Sequence, residues 1–198
     1  DRNDLKNKKI TSEVCIHHLS FNDADYKTKG NFIKWNPSIK TIEDQNALWD
    51  ALISDKIDVI ATDHAPHTFN EKNQLYVDCP SGGPLVQHSL YIMYEHFLEK
   101  RISLEKIVEK MCHNPAILFN IKKRGFIREG FFADLVILRK NQSWVINKNN
   151  ILYKCGWSPF EGKKINSMIT HTFVSGNLAY ENGVFNQNIM GKKIEFIS

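Results

Sequence analysis

The densest group of reactive side chains is Asp63-His64-Ala65-Pro66-His67, directly after the apolar run Ile57-Asp58-Val59-Ile60-Ala61-Thr62. Such a run reads as a buried strand, and a parallel strand delivers the residue at its C-terminal end to the mouth where α/β folds keep their active sites. A carboxylate there can ligate a metal, act as a general base, or do both, because a metal-bound hydroxide needs a neighbour to take its proton and pass it to a leaving nitrogen. Pro66 fixes the turn, so His64 and His67 point in different directions. On spacing alone, Asp63 could instead cap the following turn and His67 could pack in a loop.

Three weaker signals accompany it. His17-His18 closes an apolar stretch, and adjacent strand-end residues face opposite ways, so one is expected to be structural and one near the site. Asn36 precedes Pro37, which pushes it toward an extended conformation, and its carboxamide offers both donor and acceptor to an amide-like ligand. Gly82-Gly83 leaves backbone N–H groups accessible to a carboxylate or imide oxygen. His88, His96, His113 and His171 read as surface or core histidines.

The elements that must position these residues alternate. Ile10 to Leu19 reads as a strand and Thr41 to Ser54 as a helix with a Thr41/Asp44 capping box. Ile57 to Thr62 is a second strand. Leu85 to Lys100 and the segment opened by Ser103 are helices that run toward Asn114-Pro115, with a further turn over Ala116 to Phe119. From Arg124 onward, glycines punctuate short β-rich runs at Leu135–Leu138, Ser143–Ile146 and Ile169–Val174. This predicts an α/β part over 1–122 and a small β unit over 123–198, the boundary falling near Ile121 to Arg124.

Composition narrows the function classes. The 198 residues are 42% hydrophobic and 24% charged, the balance of a globular chain with a real core. Lys+Arg 26 against Asp+Glu 22 gives +4, spread too thinly for a nucleic-acid stripe. No apolar run reaches the roughly 20 residues of a membrane span. The four cysteines Cys15, Cys79, Cys112 and Cys155 lack a C-x-x-C pair and read as reduced thiols, so the expectation is a cytoplasmic protein.

Five segments in order carry a resemblance: Glu13 to Leu19 (EVCIHHL), Lys34 to Pro37 (KWNP), Ile60 to His67 (IATDHAPH), Asn114 to Phe119 (NPAILF) and Gly125 to Leu138 (GFIREGFFADLVIL). Together they resemble the C-terminal half of the dihydroorotases of the amidohydrolase superfamily. The resemblance implies an α/β fold, the C-terminal part of a (β/α)8 metal-dependent hydrolase barrel plus a small β-sandwich segment. It implies zinc and the reversible cyclisation of N-carbamoyl-L-aspartate to L-dihydroorotate in pyrimidine synthesis, with a small-molecule substrate; a homodimer is one assembly open to the chain. It further implies that Asp63 binds metal and shuttles a proton, and that Asn36, His67, Ser81 and Gly82 bind substrate. Ser81-Gly82 stands where many relatives have Phe-Gly, a change that a backbone contact survives.

The same pattern puts an H-x-H pair, a carboxylated lysine or aspartate, and two more histidines upstream of EVCIHHL, and none is present here; His17-His18 matches a later element. A (β/α)8 barrel needs about 250 residues, and some 120 precede the β unit. The chain therefore reads as part of a longer enzyme. Hydantoinases, dihydropyrimidinases and allantoinases are the alternative activities, and a non-catalytic scaffold is the alternative class.

Overall fold

In the computed structural model, which describes residues 5–197, β1 (Glu13–Cys15) and β2 (Val59–Ala61) lie side by side and parallel, with Val14 opposite Ile60 and Cys15 opposite Ala61. The first strand is shorter than the Ile10–Leu19 expected. The chain turns at Ile16 into the short helix α1 (Ile16–Ser20), whose Ile16 and Leu19 enter the core while Leu19 and Phe21 give their carbonyls to Trp49 Nε1 and Gln45 Nε2 at 3.0 and 2.8 Å. A single turn, α2 (Tyr26–Lys29), leads on to α3 (Ile42–Ile53), where both halves of the Thr41/Asp44 capping box form.

Below the strands the chain is stapled by charge. The buried Asp58 carboxylate accepts from Lys8 Nζ at 2.6 and 2.7 Å and from the Ser12 N–H at 2.9 Å. Lys110 Nζ donates to the Ile57 carbonyl and Asn114 Nδ2 to that of Asp58, at 2.8 and 2.7 Å. Those carbonyls point to side chains rather than to a neighbouring strand, which is why β2 begins only at Val59.

After β2 come α4 (Phe69–Lys72), opened by a Thr68/Glu71 capping box, and α5 (Ser89–Leu98). Helix α5 starts later than Leu85 because the Leu85 and Val86 N–H groups are taken by His64 Nδ1, at 2.9 and 3.3 Å. Helix α6 (Leu104–Val108), capped by Ser103, continues through a π-helical turn at Glu109–His113 into α7 (Asn114–Leu118). Pro115 falls in the first turn of α7, where its missing donor costs little.

The remaining strands form one antiparallel sheet in chain order: β3 (Leu135–Val145), β4 (Lys164–Val174), β5 (Asn177–Glu181) and β6 (Val184–Phe185). The two separate runs expected at 135–138 and 143–146 merge into β3 across a register irregularity between Lys140 and Trp144. The sheet is fixed to α5 by polar bonds: Glu95 accepts from Asn166 N and Nδ2 at 2.7 Å each, and Tyr91 Oη from Ile169 N at 3.1 Å. One core runs through both parts, from Val14, Ile16 and Leu52 to Ile146, Phe160 and Ile165. No helix among the described residues is long and apolar enough to cross a membrane.

Candidate functional site

At the C-terminal ends of β1 and β2 lies an open cleft of about 630 Å³, lined by Glu13, Cys15, His18, Asn36, Lys40 and Asp63 among others. Asp63 follows β2 with φ +46°, a left-handed backbone that turns the chain out of the strand. Its exposed carboxylate makes no hydrogen bond and no ion pair among the described residues. The exposed Asn36, joined to Pro37 by a cis peptide bond, has its carboxamide equally uncommitted. A groove of similar volume, about 650 Å³, crosses the β3–β6 sheet, but Tyr91, Trp144, Leu152, Met168 and Phe185 make it chiefly apolar, and it holds no carboxylate, histidine or cation.

The other three expected site residues stand in an adjoining layer rather than in the cleft wall. His67 Nε2 lies 3.1 Å from the Ser81 carbonyl, and its own carbonyl accepts from Trp157 Nε1 at 2.8 Å. Gly82 is buried with φ +118°, and a Cβ there would sit 2.7 Å from the Ala65 carbonyl oxygen. Its N–H donates to Lys34 O at 2.9 Å, so this amide is not free to cradle an anion. At Gly83 a Cβ would meet Trp35 Cζ2 at 2.9 Å, so the second glycine lets the loop lie on that indole.

Several contributors are silent in the sequence. Lys72 is fully buried on α4 and donates to Pro80 O at 2.8 Å and Lys34 O at 3.3 Å, binding the Ser81 loop to the Asn36 loop. Lys34 Nζ reaches the carbonyls of Tyr76 and Cys79, at 2.5 and 2.6 Å. A capping box before α4 could have signalled that helix, but nothing local marks Lys72 as buried. His17 and His18 sit in the first turn of α1 rather than at a strand end: His17 is buried in a stack on Trp35 at 4.3 Å, His18 faces the cleft with Nε2 3.0 Å from Pro37 O, and a donor atom of each lies within 4.8 Å of the other.

The electrostatics favour neutral imidazoles beside a negative centre. Burial pushes His17 down to about 3, helped by His18. Burial also lowers His18, against the upward pull of the Pro37 carbonyl and of Asp63. The Cys15 thiol is pushed up to about 12 by burial and then by the charges of Asp63 and Glu13. Asp63 thus offers the cleft an unpaired carboxylate, an oxygen donor of the kind zinc takes, with the His18 imidazole elsewhere on the same wall.

The model of the amidohydrolase family matches residues 5–179. Curated relatives similar to this chain are the dihydroorotases of Endomicrobium trichonymphae, 35% identical over 89% of this chain and 42% of that protein, and of Pyrococcus furiosus (strain ATCC 43587 / DSM 3638 / JCM 8422 / Vc1), 33% identical over 90% and 41%. The solved L-hydantoinase (dihydropyrimidinase) from Arthrobacter aurescens superposes with TM-score 0.82 at 28% identity, over 89% of this chain and 40% of that one. The chain spans about two fifths of the length of the curated relatives it matches.

Proposed function

This chain belongs to the amidohydrolase family, and on that premise we propose that it serves a dihydroorotase, which interconverts N-carbamoyl-L-aspartate and L-dihydroorotate in pyrimidine synthesis. In this reading β1 and β2 are neighbouring strands of a (β/α)8 barrel whose C-terminal strands and helices occupy 1–122. The β3–β6 sheet then belongs to a flanking β-sandwich segment over 123–198. The observation that carries the reading is Asp63: an unpaired carboxylate at a parallel-strand end, on a cleft shared with Asn36.

Asp63 would hold zinc together with donors from outside this chain; zinc supplies Lewis-acid polarisation of the scissile carbonyl and a bound water of lowered pKa. Asp63 would accept the proton of the attacking water on a carboxylate oxygen and donate it to the departing ring nitrogen. Asn36 offers a donor and an acceptor to the ring amide, and Lys40, on the same cleft wall, a positive charge to the substrate carboxylate. His67, Ser81 and Gly82 form the loop layer that would close over the substrate, held by the His67–Ser81 contact. The four cysteines are free thiols, in keeping with a cytoplasmic setting.

The test is Asp63→Asn in the full-length protein, assayed in both directions. The expected result is a fall in kcat of about 10²–10⁴, the range of a lost general acid–base, with an unchanged fold; wild-type turnover ends the proposal. The likeness to a solved L-hydantoinase supports a second reading, a cyclic-imide hydrolase acting on hydantoins or dihydropyrimidines. A panel of dihydroorotate, hydantoin and dihydrouracil separates the two by kcat/KM.

A further inference from the structure

We propose that Cys15, His17 and His18 form a second cation site, for a borderline-soft transition metal such as zinc, beside the carboxylate of Asp63. The three residues come from four consecutive positions at which β1 hands over to α1: the strand end supplies the sulfur and the first helical turn supplies two imidazoles. One ligand atom from each lies within 4.8 Å of the others. Around a tetrahedral zinc, with bonds of about 2.3 Å to sulfur and 2.0–2.1 Å to nitrogen, donors stand roughly 3.3–3.7 Å apart. Binding therefore requires the donors to close from within 4.8 Å to that spacing.

Three further observations point to a ligand. His17 is 0% exposed, and neither of its ring nitrogens has a hydrogen-bond partner. Leaving a buried polar group unpaired is costly, so native structures rarely keep one without a function or an ion. His18 already has the arrangement of a metal-bound histidine: with Nε2–H donating to Pro37 O at 3.0 Å, Nδ1 keeps its lone pair. Finally, Glu13 and Asp63 line the same cleft as Cys15 and His18, so two carboxylates lie near the site and favour a divalent cation there.

Access and stoichiometry follow from the cleft. Cys15 and His18 line it together with Asp63, whereas His17 is fully buried, so the cleft is the route by which an ion would reach the three donors. Asp63 is outside the set of mutually close donors, so the site stands apart from the carboxylate on which the proposed activity depends.

The experiment is a cobalt(II) titration of the full-length protein, read by absorption. A near-ultraviolet sulfur-to-cobalt charge-transfer band is expected, saturating with one cobalt, lost in Cys15→Ser and His17→Gln and retained in Asp63→Asn. A wild type without the band, or a Cys15→Ser variant that keeps it, overturns the site. X-ray absorption of the zinc-saturated wild type needs no variant: a sulfur scatterer at about 2.3 Å supports the assignment and a shell of nitrogen and oxygen alone overturns it. An Asp63→Asn protein that keeps full turnover but shows the band would sink the proposed activity and leave this site standing.

Discussion

The Gly82 N–H donates to the Lys34 carbonyl at 2.9 Å, and this bond joins the loop that carries Ser81 to the loop that carries Asn36. The same carbonyl accepts from Lys72 Nζ at 3.3 Å, and Lys72 also reaches Pro80 O at 2.8 Å. The two candidate substrate loops are therefore one mechanical unit, fixed from beneath by a buried ammonium. Their relative position is set by main-chain carbonyls, not by the reactive side chains themselves.

Gly82→Ala should break that unit. The backbone sits at φ +118°, and the new Cβ would lie 2.7 Å from Ala65 O and 2.9 Å from Ala65 Cβ, neither of which is the end of a flexible side chain. Strain of this kind costs about 1–3 kcal/mol. The expected outcome is a lower melting temperature and a KM raised about tenfold or more, with kcat less affected. Thermal unfolding and steady-state kinetics check it, and an unchanged KM would remove the loop from substrate binding.

Lys72→Met tests the ammonium through pH. Burial lowers Lys72 from 10.5 to about 8, with Lys34 adding to the shift and Cys79 opposing it. Between those values the unfolded chain holds a proton that the folded chain has released, so this group's contribution to stability rises with pH, by up to roughly 1.4 kcal/mol per unit. The stability difference between wild type and Lys72→Met should therefore grow in favour of wild type from about pH 8 to 10.5. Denaturant unfolding at several pH values measures it; a flat difference means that Lys72 keeps an ordinary pKa.

Asn114→Ala addresses the other end of β2. Its Nδ2 donates to the buried Asp58 carbonyl at 2.7 Å, and removal leaves that carbonyl without this partner. A loss of about 1–3 kcal/mol is expected, seen as a lower denaturant midpoint with unchanged affinity for a substrate analogue. A large change in affinity at unaltered stability would give Asn114 a role at the cleft instead.

The parts of this architecture legible in the sequence are those encoded by contiguous residues. The Thr41/Asp44 box opens α3 as its spacing requires, and the apolar run ending at Asp63 is a parallel strand that opens on a cleft. The strand before it is shorter than its β-branched start suggests: Ile16 and Leu19, three apart, share a buried face only as a helix, and the Trp49 and Gln45 bonds to the Leu19 and Phe21 carbonyls hold that turn in place. Asn36 and Asp63 share a cleft, whereas His67, Ser81 and Gly82 lie in the next layer. That division depends on Lys34 and Lys72, whose burial arises from contacts distant in sequence and has no local signal.

His88 gives the last test, at acid pH. It is 0% exposed, and its Nδ1 lies 3.1 Å from Ser158 Oγ, which itself accepts from the Phe160 N–H at 3.2 Å. Ser158 Oγ keeps a second lone pair as well as its hydrogen, so this bond forms with either group as donor, while His88 Nε2 is buried without a hydrogen-bond partner among the described residues. Burial accordingly holds His88 at about 4 instead of 6.5. As pH falls through that interval the unfolded chain takes up a proton that the folded chain refuses, so stability present above 6.5 is lost toward 4, again by up to roughly 1.4 kcal/mol per unit. His88→Asn keeps an acceptor near Ser158 but cannot titrate. Its unfolding free energy should be lower than wild type at pH 7 and fall less steeply below pH 6.5, so that the two curves converge; parallel curves would show that another group, such as His17, carries the acid response.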